Sequence, residues 1–213
     1  MIISNLFKDV SGPKFYIEIG ANDGLSQSNT KYLELFYDWR GILIEPIPSV
    51  FKKLQKNRAS NNFFENRACC SFNFDSSTMA FIYANLMTVS TDGESDVENR
   101  HRHAEIGAGS LSSGEKPYEF TAIAVTMNSI LDKYDAPKRI NFFSLDVEGS
   151  EIEVLKGIDF QVYIFDYICI ETRSFDAVEK YLSVRGYECI EILTNNITHN
   201  DYLFKYKNLS SNI

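Results

Sequence analysis

One stretch near the N-terminus limits what this chain can fold into: Phe15-Tyr16-Ile17-Glu18-Ile19-Gly20-Ala21-Asn22-Asp23-Gly24. An apolar run carrying one acid breaks at a glycine, a second glycine follows, and helical spacing comes next. That is the order of a buried parallel strand entering a tight turn and then a helix. Glycine has no Cβ, so backbone there can approach a ligand closely. The first N–H groups of a following helix have no partner within it and face the same crevice. The turn is therefore expected to hold a cofactor.

The pattern continues. A helix is expected over 26–37, with Tyr32, Leu33 and Phe36 on one face. Ile42-Leu43-Ile44 is a second strand, ending in Glu45-Pro46, and Pro48 opens a second helix. A third strand covers 63–66. The β-α-β-α-β alternation implies an α/β fold on a parallel sheet. Two strands over 68–74 and 79–85 flank Asp75-Ser76-Ser77 in the manner of a hairpin. Residues 86–117 carry many Ser, Gly and charged residues without periodicity, and are expected to form a long irregular loop acting as a lid or substrate flap. Strands at 120–126, 140–145 and 163–170 then alternate with helices at 129–134, 149–156 and around Phe175, Val178 and Leu182. An antiparallel pair at 187–193 and 202–206 closes the sheet. No internal repeat or second domain is visible. A single domain over 1–213 is expected, and a first strand so near Met1 also fits a piece of a larger protein.

The formal net charge is -8, with 21 Lys+Arg against 29 Asp+Glu. A polyanion is a poor partner for such a chain, so no nucleic acid is expected. Cys69, Cys70, Cys169 and Cys189 form no C-x-x-C pair, and three of them sit in apolar runs as small buried hydrophobes. No secretory leader and no run of membrane-spanning length is present, so a cytoplasmic location is expected.

Acids close several strands: Glu18, Glu45, Asp146 and Glu171. In an open parallel sheet the ligand crevice lies at the carboxyl ends of the strands. Acids gathered there repel one another unless a metal, a cationic cofactor or a proton shares the site. Glu45, at the end of the second strand, is placed to accept hydrogen bonds from both hydroxyls of a ribose. The turn reads G-A-N-D-G, so the dinucleotide fingerprint G-x-G-x-x-G is absent. Asp23 would repel a pyrophosphate. A cofactor that lacks phosphate and carries positive charge suits the turn better, and S-adenosylmethionine meets both conditions.

Ile17 to Gly24, Ile42-Leu43-Ile44-Glu45-Pro46 and Leu145-Asp146-Val147-Glu148-Gly149-Ser150-Glu151-Ile152-Glu153-Val154-Leu155-Lys156-Gly157 resemble, in order, three motifs of the FkbM family of S-adenosylmethionine-dependent methyltransferases. Asn22 stands where class I methyltransferases commonly have a second glycine. The resemblance implies a Rossmann-like class I fold, a seven-stranded mostly parallel sheet with helices on both faces and an antiparallel closing strand. It also implies O-methylation of a sugar, glycan, polyol or polyketide hydroxyl. A nucleotide-dependent dehydrogenase and a non-catalytic adaptor are the alternatives.

On this resemblance Glu18, Gly20, Ala21, Asn22, Gly24 and Asp146 surround the methionine part of the cofactor. Glu45 and Pro46 meet the ribose, and Asn66 reaches the adenine edge. A sugar hydroxyl is a poor nucleophile and needs a base. Asp146 and Glu148 are the candidates, with His101 and His103 as alternatives. Asp146 and Glu171 are candidate Mg2+ ligands. Glu151 and Glu153 have one reading as a solvated helix face paired with Lys156; Glu151, which belongs to the third motif, has a second, orienting Asp146 or a loop.

Overall fold

The computed structural model describes residues 6–7, 14–109, 111 and 116–208. Its strands are β1 (Phe15–Ile19), β2 (Arg40–Ile44), β3 (Phe63–Glu65), β4 (Ala68–Cys70), β5 (Thr78–Tyr83), β6 (Val89–Ser90), β7 (Tyr118–Thr126), β8 (Arg139–Leu145), β9 (Ile164–Thr172), β10 (Tyr187–Ile192) and β11 (Asn200–Tyr206). The helices described below are α1 (Lys31–Tyr37), α2 (Pro48–Asn57), α3 (Arg100–Ala108), α4 (Met127–Lys133), α5 (Glu151–Leu155) and α6 (Phe175–Ser183).

The main sheet has the order β10-β11-β9-β8-β1-β2-β3. Only β11 runs against its neighbours, which gives the seven-stranded sheet and closing strand expected from the resemblance. Strand order reverses beside β1: β2 and β3 lie to one side of it and β8 to the other. A crevice opens at such a switch point, beyond the carboxyl ends of the strands.

β1 is buried on both faces because each face carries its own core. Ile17 and Ile19 join Ile42, Ile44, Phe143 and Leu145 on one side, with Ile130 and Leu131 of α4, Val154 of α5 and Leu182 of α6. Tyr16 joins Leu33 of α1, Leu54 of α2, Leu43 and Phe142 on the other, together with Phe7 and Trp39. Strand alternation sorts the residues between the two cores.

Three expectations change. The strands around Asp75-Ser76-Ser77 do not pair as a hairpin. β4 pairs with β7 in parallel and β5 pairs with β7 antiparallel, so a second sheet of order β4-β7-β5-β6 forms. The segment 86–117 is not irregular, since it contains β6 and α3; residues 110 and 112–115 lie outside the described residues. α1 begins at Lys31 rather than near 26, and it buries Leu33 while Tyr32 and Phe36 are exposed. Side chains take up the N–H groups ahead of it. Asp23 accepts from Leu25 and Ser26, Glu18 from Asn29, and Ser28 Oγ from Lys31.

Candidate active site

A cavity opens over β1, β2 and β8, walled on its far side by the second sheet and the segment after β5. Gly20, Ala21 and Asn22 from the turn, Glu45 and Pro46 from the end of β2, and Asp146, Glu148 and Glu171 from the ends of β8 and β9 all line it. Gly20 is obligatory here. Its φ is +79°, and a Cβ would lie 1.8 Å from the Asp146 carbonyl oxygen. That close approach is fixed by main-chain bonds: the Asp146 N–H donates to Ile19 O, and the Gly20 and Ala21 N–H groups donate to Ile44 O.

Glu45 is 4% exposed. Its Oε2 accepts from the Asn22 N–H at 2.9 Å and its Oε1 from the Ile47 N–H at 2.8 Å. Burial raises its carboxyl to about 7 against these two bonds, and the Asp146 charge adds to the rise. Each oxygen keeps a further lone pair for a ligand.

Asp146, Glu148 and Glu171 each offer one oxygen within 4.8 Å of the others. Burial, then the charges of Glu148 and Asp201, push Asp146 to about 7. Burial, then Asp146, Glu148 and Asp201, push Glu171 to about 8. Glu148 goes the other way. Burial acts to raise it, but hydrogen bonds from His103 Nε2 at 3.0 Å and Arg173 at 2.9 Å outweigh that and hold it below the ordinary carboxylate range.

Several expected site residues lie elsewhere. Glu18 does not line the cavity. It shares a sheet face with Tyr16, opposite Ile17 and Ile19, and there accepts hydrogen bonds from Arg58, Ser28, Asn29 and Thr30. The alternation of β1 carries this information, and a reading by position at the strand end misses it. Arg58, buried at the end of α2, bridges Glu18 at 3.0 Å and Glu34 at 2.7 Å. Gly24 packs under the same arginine, where a Cβ would meet Arg58 Cγ at 2.7 Å. Asn66 spends its amide on the Glu45 and Pro46 carbonyls, and Arg67 lines the cavity instead. His101 is exposed and faces a separate groove beside Tyr118 and Glu119. Asp146, Glu148 and Glu171 come together as expected, and His103 reaches the cluster through Glu148.

Glu151 and Glu153 are buried, not solvated. Glu151 Oε1 accepts from the N–H groups of Val147 and Gly149 and so shapes the loop that carries Glu148. Burial raises its carboxyl to about 8. Glu153 accepts from the Ser71 and Glu94 N–H groups, and Lys156 pairs with Glu94.

Four carboxyls, Glu45, Asp146, Glu151 and Glu171, thus titrate in the folded protein near 7–8, above their ordinary values of 3.8 and 4.5. Between those limits the folded state binds more protons than the unfolded chain. Their stabilising contribution is full below the ordinary values and is lost as pH rises through 7–8. The ligand-free protein is expected to melt several degrees higher at pH 5.5 than at pH 8.5. Scanning calorimetry across that range checks it, and a melting temperature that rises with pH would refute the assignment.

The family profile described as the methyltransferase FkbM domain matches residues 18–189. A curated relative, Methyltransferase 1 of Beauveria bassiana (strain ARSEF 2860), is 26% identical over 161 residues, which make up 74% of this chain and 64% of that protein. The chain therefore spans less than two thirds of that relative's length. The structure of methyltransferase FkbM from Methylobacillus flagellatus KT superposes with a TM-score of 0.54 at 15% identity, over 96% of this chain and 48% of that one. At that identity the likeness concerns the fold.

Proposed function

Because the chain belongs to the FkbM methyltransferase domain family, we propose that it transfers a methyl group from S-adenosylmethionine to a hydroxyl of a sugar, glycan or similar polyol or polyketide acceptor. The observation that carries this reading is one cavity lined by a glycine turn, a buried acid at the end of β2 and a cluster of carboxylates at the ends of β8 and β9. Glu45 would accept from the ribose hydroxyls, with Pro46 beside it. Gly20, Ala21 and Asn22 would pass beneath the cofactor, where bare backbone leaves room. The sulfonium charge would sit near the carboxylate cluster, which supplies the opposite sign. S-adenosylmethionine, when bound, supplies the electrophilic methyl group. The chain must align the acceptor oxygen with it, and such positioning is worth effective molarities of up to about 10⁵–10⁸ M.

Asp146 is the proposed base. A group that titrates near neutrality is well matched to taking a proton from a hydroxyl at working pH. The four cysteines are thiols, which supports the reading of a reducing, cytoplasmic setting. No described helix is long and apolar enough to cross a membrane.

Calorimetry with S-adenosylmethionine and S-adenosylhomocysteine, followed by transfer of a labelled methyl group to a panel of sugars, glycans and hydroxylated polyketides, tests the reading. Absence of binding to both cofactor forms would falsify it. A second reading concerns a metal. Asp146, Glu148 and Glu171 present the oxygen donors that Mg2+ prefers, close enough together to share one ion. If Mg2+ serves the reaction, EDTA is expected to abolish transfer and added Mg2+ to restore it. Turnover that ignores EDTA would retire the metal.

A further inference from the structure

The segment after β6 is tied at several points to the loop that carries Glu148. The Asp96 N–H donates to Gly149 O at 2.9 Å. Asp96 Oδ2 accepts from Thr172 Oγ1 and from the Arg173 N–H. Gly149, with φ +101°, has no room for a Cβ: it would meet Asp96 Oδ1 and Val97 Cγ2 at 2.7 Å each. Further along, the Glu94 N–H donates to Glu153. α3 then begins with Asn99 capping the Arg102 N–H. Its buried face consists of His103, Ala104 and Gly107. Ala104 packs with Ile82 and Val89 of the second sheet and with Ala84, just past the end of β5. Gly107 lies so close to Met87 and Ala84 that a Cβ would sit 2.6 Å from Met87 Cβ.

This seating delivers His103, 9% exposed, to Glu148. His103 Nε2 and an Arg173 guanidinium nitrogen both bond Glu148 Oε2. Glu148 itself has φ +52°, a region uncommon for a non-glycine residue. One carboxylate oxygen is thus pinned from two sides, and Oε1 takes no hydrogen bond from the described residues.

We propose that His103 and Arg173 form a clamp that positions Glu148 Oε1 toward the acceptor hydroxyl, so that the segment from Asp96 to Ala108 is a fixed part of the catalytic centre and not a lid. This rests on the methyl-transfer reading above. Glu148 orients the hydroxyl while Asp146 takes its proton. His103 is a positioning residue, acting through Glu148 without touching the acceptor. Arg173, with no sequence pattern to mark it, shares that role.

Two measurements test the clamp. The first needs no acceptor: hydrogen exchange of residues 96–108 with and without S-adenosylhomocysteine. The clamp requires slow exchange in the ligand-free protein, little changed by the ligand. It also requires faster exchange in His103→Ala and recovery in His103→Gln, whose amide can donate to Oε2 from nearly the same place. Fast exchange that slows only when the ligand binds would make the segment a lid and overturn the proposal. The second measurement is turnover with the acceptor found in the labelled-methyl panel. His103→Ala should lose at least tenfold in kcat with S-adenosylhomocysteine affinity within about twofold, and His103→Gln should recover most of that loss. A His103→Gln variant as slow as His103→Ala would mean that His103 itself moves the proton. Unchanged kcat in both would mean that Glu148 needs no clamp. Calorimetry on the same samples separates these outcomes from failure of the cofactor reading, which would appear as no binding by the unmodified protein.

Discussion

Replacing Glu45 by alanine is expected to weaken S-adenosylhomocysteine binding by at least about a hundredfold, since a hydrogen bond to a charged group is worth about 1.5–3 kcal/mol and two are lost. The carboxylate is held between the Asn22 and Ile47 N–H groups. On the proposed reading its remaining lone pairs would accept from two adjacent hydroxyls of a ribose. The effect has a pH signature. In the free protein Glu45 titrates near 7, and a protonated carboxyl has one acceptor oxygen fewer. Affinity should fall on the acid side of 7 and level off above it. Glu45→Gln keeps one acceptor oxygen, so it should bind with intermediate affinity and lose the Glu45 part of the pH dependence. Calorimetric titration between pH 5.5 and 8.5 gives both numbers. A Glu45→Ala affinity within threefold of the unmodified protein would remove the ribose from this position.

The features that survive from sequence to structure are those a single strand can encode. β1, its glycine turn and the acids closing β2, β8 and β9 are all local patterns, and they meet because parallel alternation aligns strand ends. What fails is face and partner. Glu18 looks like a rim acid until the alternation with Ile17 and Ile19 is counted; its partner, Arg58, lies 40 residues away. α3 escaped notice for a different reason. Its buried face is His103, Ala104 and Gly107, which offers no large apolar side chain to repeat at helical spacing. Close packing against Met87 and Ala84 makes those small residues the right ones, but that demand is tertiary. The second sheet has the same origin. β4 and β5 are adjacent in sequence, yet each finds its partner in β7, which no hairpin signal foretells.

The second large effect is expected at Asp146. Asp146→Asn keeps the shape of the side chain and removes its ability to take a proton, so turnover should drop by about 10²–10⁴-fold, the usual worth of a positioned base. The fold should survive, because the contacts at this strand end are made by main chain: the Asp146 N–H to Ile19 O, and the Asp146 carbonyl against Gly20. Stability should in fact move in the opposite direction to activity. At pH 8 an ionised Asp146 stands in a half-buried site with Glu148, Glu171 and Asp201 nearby, and the neutral amide relieves that repulsion. The variant should therefore melt higher than the unmodified protein at pH 8, with the gain shrinking toward pH 5.5, where Asp146 already holds its proton. A purely structural role for Asp146 predicts lower stability at every pH, so activity and melting profiles together separate the two roles. Turnover close to that of the unmodified protein would move the base elsewhere. His101 faces another groove and would not inherit the role. It would pass to Glu148, whose carboxylate is held ionised by His103 and Arg173, or to His103 behind it.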